Sequence, residues 1–204
     1  MASFSGEKGL IGAVAAALFF VVGLSACSRE PEVVVPANAV IALSDQFTGD
    51  YALVATDGRT ITPDHFKGKV VAVYFGFATC PDVCPLALHR LSAALNELTD
   101  AERAELAAVF ITVDPERDTP AALKDYLAFD DRIIGLTGSV EAVDAAREGF
   151  KVFARKQPLP DSALAYTMDH TSLFYIVDRR GRPVTALHDS LTPEELAAML
   201  RRQI

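Results

Sequence analysis

Hydrophobic positions along this chain fall into blocks of two different periods. "KVVAVYFGF", Lys69 to Phe77, is apolar almost throughout and rich in β-branched and aromatic residues, which predicts a strand covered on both faces. In the following "PLALHRLSAALNELT" the apolar positions open out to helical spacing, with Leu88, Leu91, Leu95 and Leu98 on one face. "LAAVFITVD" is a second buried strand, and Thr119-Pro120 supplies an N-cap and a first-turn proline for the helix "AALKDYLAF". "RIIGLTG" is a third short apolar segment, and "SVEAVDAAREGFKVFA" predicts a third helix. "HTSLFYIVD" and "PVTALHD" flank the turn Arg179-Arg180-Gly181, a terminal antiparallel hairpin. "TPEELAAMLRRQI" closes the chain with a capping box from Thr192 to Glu195. Upstream, "YALVATDGRTIT" reads as a hairpin turning at Asp57-Gly58, and Thr62-Pro63 opens a short helical turn that Gly68 ends.

Alternating strands and helices, followed by a hairpin and a final helix, predict an α/β fold of thioredoxin-like architecture. Its mixed sheet is flanked by helices and ends in a β-hairpin and a C-terminal helix. The regular pattern begins near Gln46, which places the domain at residues 46–204. Residues 27–45 carry proline and no apolar period and read as a tether. Before them, Gly9 to Cys27 runs without a charge after Glu7 and Lys8, and "LSAC" ending at Cys27 resembles the cleavage box of bacterial lipoproteins. Residues 1–26 are therefore expected to be a lipoprotein-type signal peptide, with Cys27 as the lipidated residue. The competing reading is an uncleaved N-terminal transmembrane anchor, for which the run is only just long enough. Both place the domain outside the cytoplasm, on the periplasmic side, tethered to a membrane.

Composition narrows the function classes. Half of the 204 residues are hydrophobic, enough for a single domain with a real core. The net charge is −8 and no basic block appears, which argues against nucleic acid as a partner. Three cysteines are too few for a disulfide-built scaffold, and with Cys27 lipidated, Cys80 and Cys84 are the only free pair.

That pair stands in "TCPDVCP", where the first buried strand gives way to a helix. Unpaired amides and the helix dipole favour thiolate there, and thiolate is both metal ligand and nucleophile. On a helix, a spacing of four puts both sulfurs on one face with Cα atoms about 6 Å apart, which also permits a Cys80–Cys84 disulfide. Geometry thus leaves metal binding and thiol–disulfide exchange both open. A metal needs a third donor. His65, His89 and His188 read as surface or capping residues. His170, in "YTMDHTSLFYIVD", stands where a loop leads into the first strand of the terminal hairpin, a junction that faces the cysteine pair in thioredoxin-type proteins and usually carries a cis-proline there. Two thiolates and an imidazole suit Cu(I), or Cu(II) with an added oxygen donor. Asp82 and Asp169 read as capping residues, and Met168 as packing. In "VDPERDTP", Asp114, Glu116, Arg117 and Asp118 read as a charged turn before the next helix, with a docking rim as the alternative.

"YFGFATCPDVCP", "ITVDPERDTP", "ALKDYLAFD", "IIGLTG" and "DHTSLFYIVD" together resemble the Sco/SenC family, in order and over nearly the whole chain from Gln46. The resemblance implies a membrane-tethered, thioredoxin-like copper metallochaperone with Cys80, Cys84 and His170 as ligands of one copper ion per chain. It implies cytochrome c oxidase subunit II as partner, with assembly of its CuA centre as the task and another copper carrier or thiol reductant as a further contact. The alternative is a tethered thiol–disulfide oxidoreductase that reduces the CuA-site cysteines or serves copper and redox homeostasis, with Cys80 as nucleophile and Cys84 resolving. A peroxidase is disfavoured, because the Pro-x-x-x-Thr-x-x-Cys pattern of peroxiredoxins is absent.

Overall fold

The structure, a computed structural model, describes residues 1–2 and 33–204. The expected signal or anchor segment and the expected lipidation site, Cys27, fall on residues 3–32, outside the described residues. Among those described, no helix is long and apolar enough to cross a membrane.

Val33–Ile204 form one unit around an eight-stranded sheet of order β1-β10-β9-β4-β5-β6-β2-β3. Its centre is β4, Val70–Gly76, every residue of which is buried. On one side β4 pairs in parallel with β5, Leu106–Thr112, which pairs in parallel with β6, Ile133–Thr137. On the other side it meets β9, Leu173–Val177, antiparallel. β9 turns through Arg179-Arg180-Gly181 into β10, Pro183–His188, as the sequence predicts, with Gly181 at φ +84°. The predicted Asp57-Gly58 hairpin joins β2, Leu53–Ala55, to β3, Thr60–Ile61, and β2 pairs with β6.

Side-chain alternation along β4 divides the core in two. Tyr74 packs with Phe110 and Phe174, and Phe110 meets Tyr126 at the end of helix α3, Pro120–Tyr126. Phe75 points to the opposite face, against Tyr175 and Phe150, which follows helix α4, Val140–Gly149. Each such ring contributes about 1.5–3 kcal/mol by leaving water. Helix α1, Val83–Glu97, packs against α5, Pro193–Arg201, and the short α2, Asp100–Ala104, lies between α1 and β5 in the chain. Thr119, Ser139 and Thr192 cap α3, α4 and α5 by accepting backbone N–H groups.

Four expectations need correction. Val40–Ala42, read as tether, form strand β1 on the outer edge of β10, preceded by buried Ala39. Three residues are too few to display a period, and they cover backbone groups that β10 would otherwise leave unpaired. The third predicted helix stops at Gly149, and Ala154–Pro158 continue as strand β7. His170 does not open the terminal hairpin. It ends β8, Tyr166–His170, which pairs with β7 in a separate two-stranded ribbon. Finally, Cys80 and Cys84 are not two residues of one helix, because α1 begins at Val83.

Candidate metal centre

Cys80 lies in the turn after β4, and Cys84 is the second residue of α1. The Asp82 N-cap makes no side-chain capping bond. Instead, the Cys84 backbone N–H points at the Cys80 sulfur, 3.5 Å away. The sulfur thus takes the place of a capping oxygen, where helix amides and dipole favour negative charge. The Cys84 side chain favours the charged form most, burial opposes it, the amides of Asp82 and Cys84 add to it, and the Cys80 pKa falls to about 4. Cys84 moves the other way, because its proton serves Cys80 and its thiol is fully buried. The pair is polarised: a half-exposed thiolate at Cys80 and a buried thiol at Cys84, neither joined in a disulfide.

Backbone and packing seat the Cys84 sulfur. A Cβ built on Gly76 would stand 2.9 Å from Phe110 Cε2 and 3.0 Å from Cys84 Sγ. The missing side chain at the end of β4 is the space that the sulfur occupies.

The ribbon brings the third donor. His170 Nε2 lies 3.5 Å from Cys84 Sγ, and its ring meets buried Phe77 edge-on at 5.7 Å between centroids. His170 Nδ1 sits 2.9 Å from the Thr171 carbonyl, which only an N–H can satisfy. The proton is thereby fixed on Nδ1 and the Nε2 lone pair faces the sulfurs, the arrangement of a ligating imidazole. Legs of about 2.3 Å to sulfur and about 2.0 Å to nitrogen, at a tetrahedral angle, span about 3.5 Å. The observed separation fits that span. Among the described residues no three His, Cys, Asp or Glu side chains are already spread around a common point. Instead His170 Nε2 touches Cys84 Sγ, while Cys80 Sγ faces the Cys84 amide.

The remaining histidines stay away from this cluster. His65 Nδ1 accepts the Thr62 N–H at 3.0 Å and caps a 3-10 turn, Pro63–Phe66. His89 is exposed against Phe129, and His188 is exposed beside Ser190. Met168 is partly buried against the core, and Asp169 is exposed 3.9 Å from Arg155.

The "VDPERDTP" loop holds what sequence reading missed. Asp114 and Asp118 are each only 1% exposed, so neither belongs to a surface rim. Asp118 Oδ2 accepts the Ala78 N–H at 3.0 Å and the Thr112 hydroxyl at 2.6 Å. Burial raises its pKa. The Asp114 carboxylate accepts from Arg117 Nε and, at 2.9 Å, from the Tyr166 hydroxyl. No period or composition marks these two acids as buried. The only signal is Thr112, a hydroxyl ending an apolar strand.

A cysteine pair between a buried strand and a helix, met by an imidazole from across the sheet edge, defines a thioredoxin-fold protein with a dithiol–imidazole centre. The chain belongs to the SCO1/SenC family, whose model matches residues 41–204. It is 35% identical over 156 residues to an SCO2-like protein of Rickettsia conorii, spanning 76% of each chain. Bradyrhizobium japonicum ScoI, solved with copper bound, is 40% identical and superposes with a TM-score of 0.71, covering 78% of this chain and 99% of ScoI. BsSco is described as having a disulfide switch and as a member of the Sco family of cytochrome c oxidase assembly proteins. It shares the fold at 24% identity and a TM-score of 0.61, over 80% of this chain and 96% of BsSco.

Proposed function

We propose that this protein is a metallochaperone that carries one copper ion on Cys80 Sγ, Cys84 Sγ and His170 Nε2 and delivers it to the CuA centre of cytochrome c oxidase subunit II. Family membership and the copper-bound ScoI support the cargo. The observation that carries the ligand set is the 3.5 Å approach of His170 Nε2 to Cys84 Sγ, with Nδ1 committed to Thr171. Two sulfurs and one nitrogen form a soft, low-coordinate set suited to Cu(I), and a fourth oxygen donor would suit Cu(II). Loading displaces the Cys84 thiol proton, and hand-off proceeds by exchange of these donors for those of the target. The apolar segment before residue 27 and the cysteine that ends it support a domain held on the periplasmic face of a membrane by a lipid on Cys27 or by an N-terminal helix.

The test is titration of reduced protein with Cu(I) against a competing chelator. Cys80→Ser, Cys84→Ser and His170→Ala should each lose affinity by an order of magnitude or more, since each removes one of three donors. Wild-type binding by His170→Ala would remove the imidazole from the site. A second reading, a thiol reductant for the CuA cysteines, is favoured by the polarity of the pair. Cys80 is the accessible low-pKa nucleophile and Cys84 the buried resolving thiol. Restored oxidase activity in a deletion strain by His170→Ala, but not by Cys80→Ser, would select it.

A further inference from the structure

We infer that Tyr166 and Arg117 are positioning residues for His170: they clasp the β7–β8 ribbon to the loop between β5 and α3, so that the imidazole meets the cysteine segment in register. The inference rests on the reading of His170 as a copper ligand.

Burial holds the ribbon only in part, through Ala154 and Met168 against the core. Neither strand has a fully buried residue, and neither pairs with the main sheet. Specific ties supply the rest, and most of them converge on one loop. Arg117 Nη1 donates to the Tyr166 carbonyl at 3.0 Å, with the Leu164 carbonyl at 3.4 Å. Its guanidinium carbon lies 3.8 Å from the centre of the Tyr166 ring. The Tyr166 hydroxyl returns to Asp114 Oδ1 at 2.9 Å, and the other oxygen of that buried carboxylate takes Arg117 Nε. The clasp is therefore closed: acid, guanidinium and phenol each bond or stack with the other two. Lys156 adds an exposed pair with Glu116, of little weight, and Arg147 Nη2 ties the other end through the carbonyl of Ala154, the register partner of His170, at 2.9 Å, so that the clasp sets the end of the ribbon that Arg147 does not hold.

The same loop grips the cysteine side. Asp118 holds the Ala78 N–H, two residues before Cys80, and the Thr112 hydroxyl accepts the Asp114 N–H at 2.8 Å. Five residues, Asp114 to Asp118, thus reference both halves of the site to one anchor. Tyr166 is four residues from His170, about 13 Å along an extended strand. It acts through the ribbon and not on the ion.

Tyr166→Phe deletes one hydroxyl and keeps the ring and the strand. Hydrogen bonds to carboxylates are among the stronger ones, so partial loss of register should weaken Cu(I) binding by roughly three- to thirty-fold in a chelator competition. Nitrogen hyperfine coupling in the Cu(II) EPR spectrum should weaken with it, while the rate of Cys80 alkylation stays at the wild-type value. Arg117→Lys should do the same, because an ammonium cannot reproduce the planar fork. The deciding measurement is the double-mutant cycle with His170→Ala. If Tyr166 works through the imidazole, Tyr166→Phe costs nothing further in the His170→Ala background. Equal losses in both backgrounds, or wild-type affinity for both clasp variants, would overturn the inference. Wild-type affinity of His170→Ala alone would overturn the ligand reading, and the inference with it.

Discussion

The Cys80 sulfur accepts the backbone N–H of Cys84 at 3.5 Å and so caps the helix that carries its partner thiol. One atom thereby closes the start of α1, anchors the thiolate and presents the accessible face of the centre.

Cys80 should therefore alkylate as a thiolate across the neutral range. With its pKa near 4, the rate with iodoacetamide should be flat from pH 9 to about pH 5 and fall through pH 4. Cys84, buried and raised, should stay unmodified in the native protein. A Cys80 titration near pH 8.5 would contradict the capping geometry.

The same shift fixes the sign of the pH dependence of stability. The Cys80 pKa is depressed on folding, so its stabilising contribution is full above the unfolded value, near 9, and is lost as pH falls through about 4. In the Cys80–Cys84 disulfide neither sulfur titrates. The stability of the reduced protein relative to the oxidised one should thus rise from pH 4 to pH 9, as measured by denaturant unfolding with and without reductant. A constant difference would refute the shift.

Gly76→Ala should damage the centre through space alone, since the Gly76 φ is not in the left-handed region. The new methyl meets Phe110 Cε2 at 2.9 Å, Cys84 Sγ at 3.0 Å and Tyr74 Cε1 at 3.2 Å. Overpacking of this kind costs about 1–3 kcal/mol. Unfolding midpoints should fall accordingly and copper affinity with them. A variant with unchanged stability would show that the sulfur does not sit against β4.

Asp118→Ala leaves two donors, the part-buried Ala78 N–H and the buried Thr112 hydroxyl, without their acceptor. About 1–3 kcal/mol of stability should be lost for each donor left unsatisfied. Asp118→Asn keeps one acceptor oxygen and should recover much of that. Equal unfolding curves for the two variants would mean that the carboxylate position has no part in holding the cysteine turn.

The strand that delivers Cys80 was legible because β4 is buried on both faces and its apolar run is unbroken. The turns at Asp57-Gly58 and Arg179-Arg180-Gly181, and the caps at Thr119 and Thr192, were legible because each depends on local chemistry. The thioredoxin-like class followed from them. His170 was identified as facing the cysteines, but by the wrong element. The ribbon that carries it, Ala154–Pro158 with Tyr166–His170, has no apolar period, because polar ties from Arg117 and Arg147 hold it. The two buried acids looked like surface charge for a similar reason: their partners are a backbone amide, a hydroxyl and a phenol that only the fold brings near.

The cap at Cys80 has a consequence for recognition. Val83 and Leu86, exposed on the first turns of α1, form the apolar surface beside the centre. On the proposed reading, copper or a disulfide would engage the sulfur that also holds the Cys84 amide, which would link cargo thermodynamically to the conformation of that first turn. By reciprocity, a partner that favours one form of the turn must favour the matching state of the sulfur. The empty, loaded and oxidised forms would then present different faces, and a partner would read what the protein carries before any ligand is exchanged.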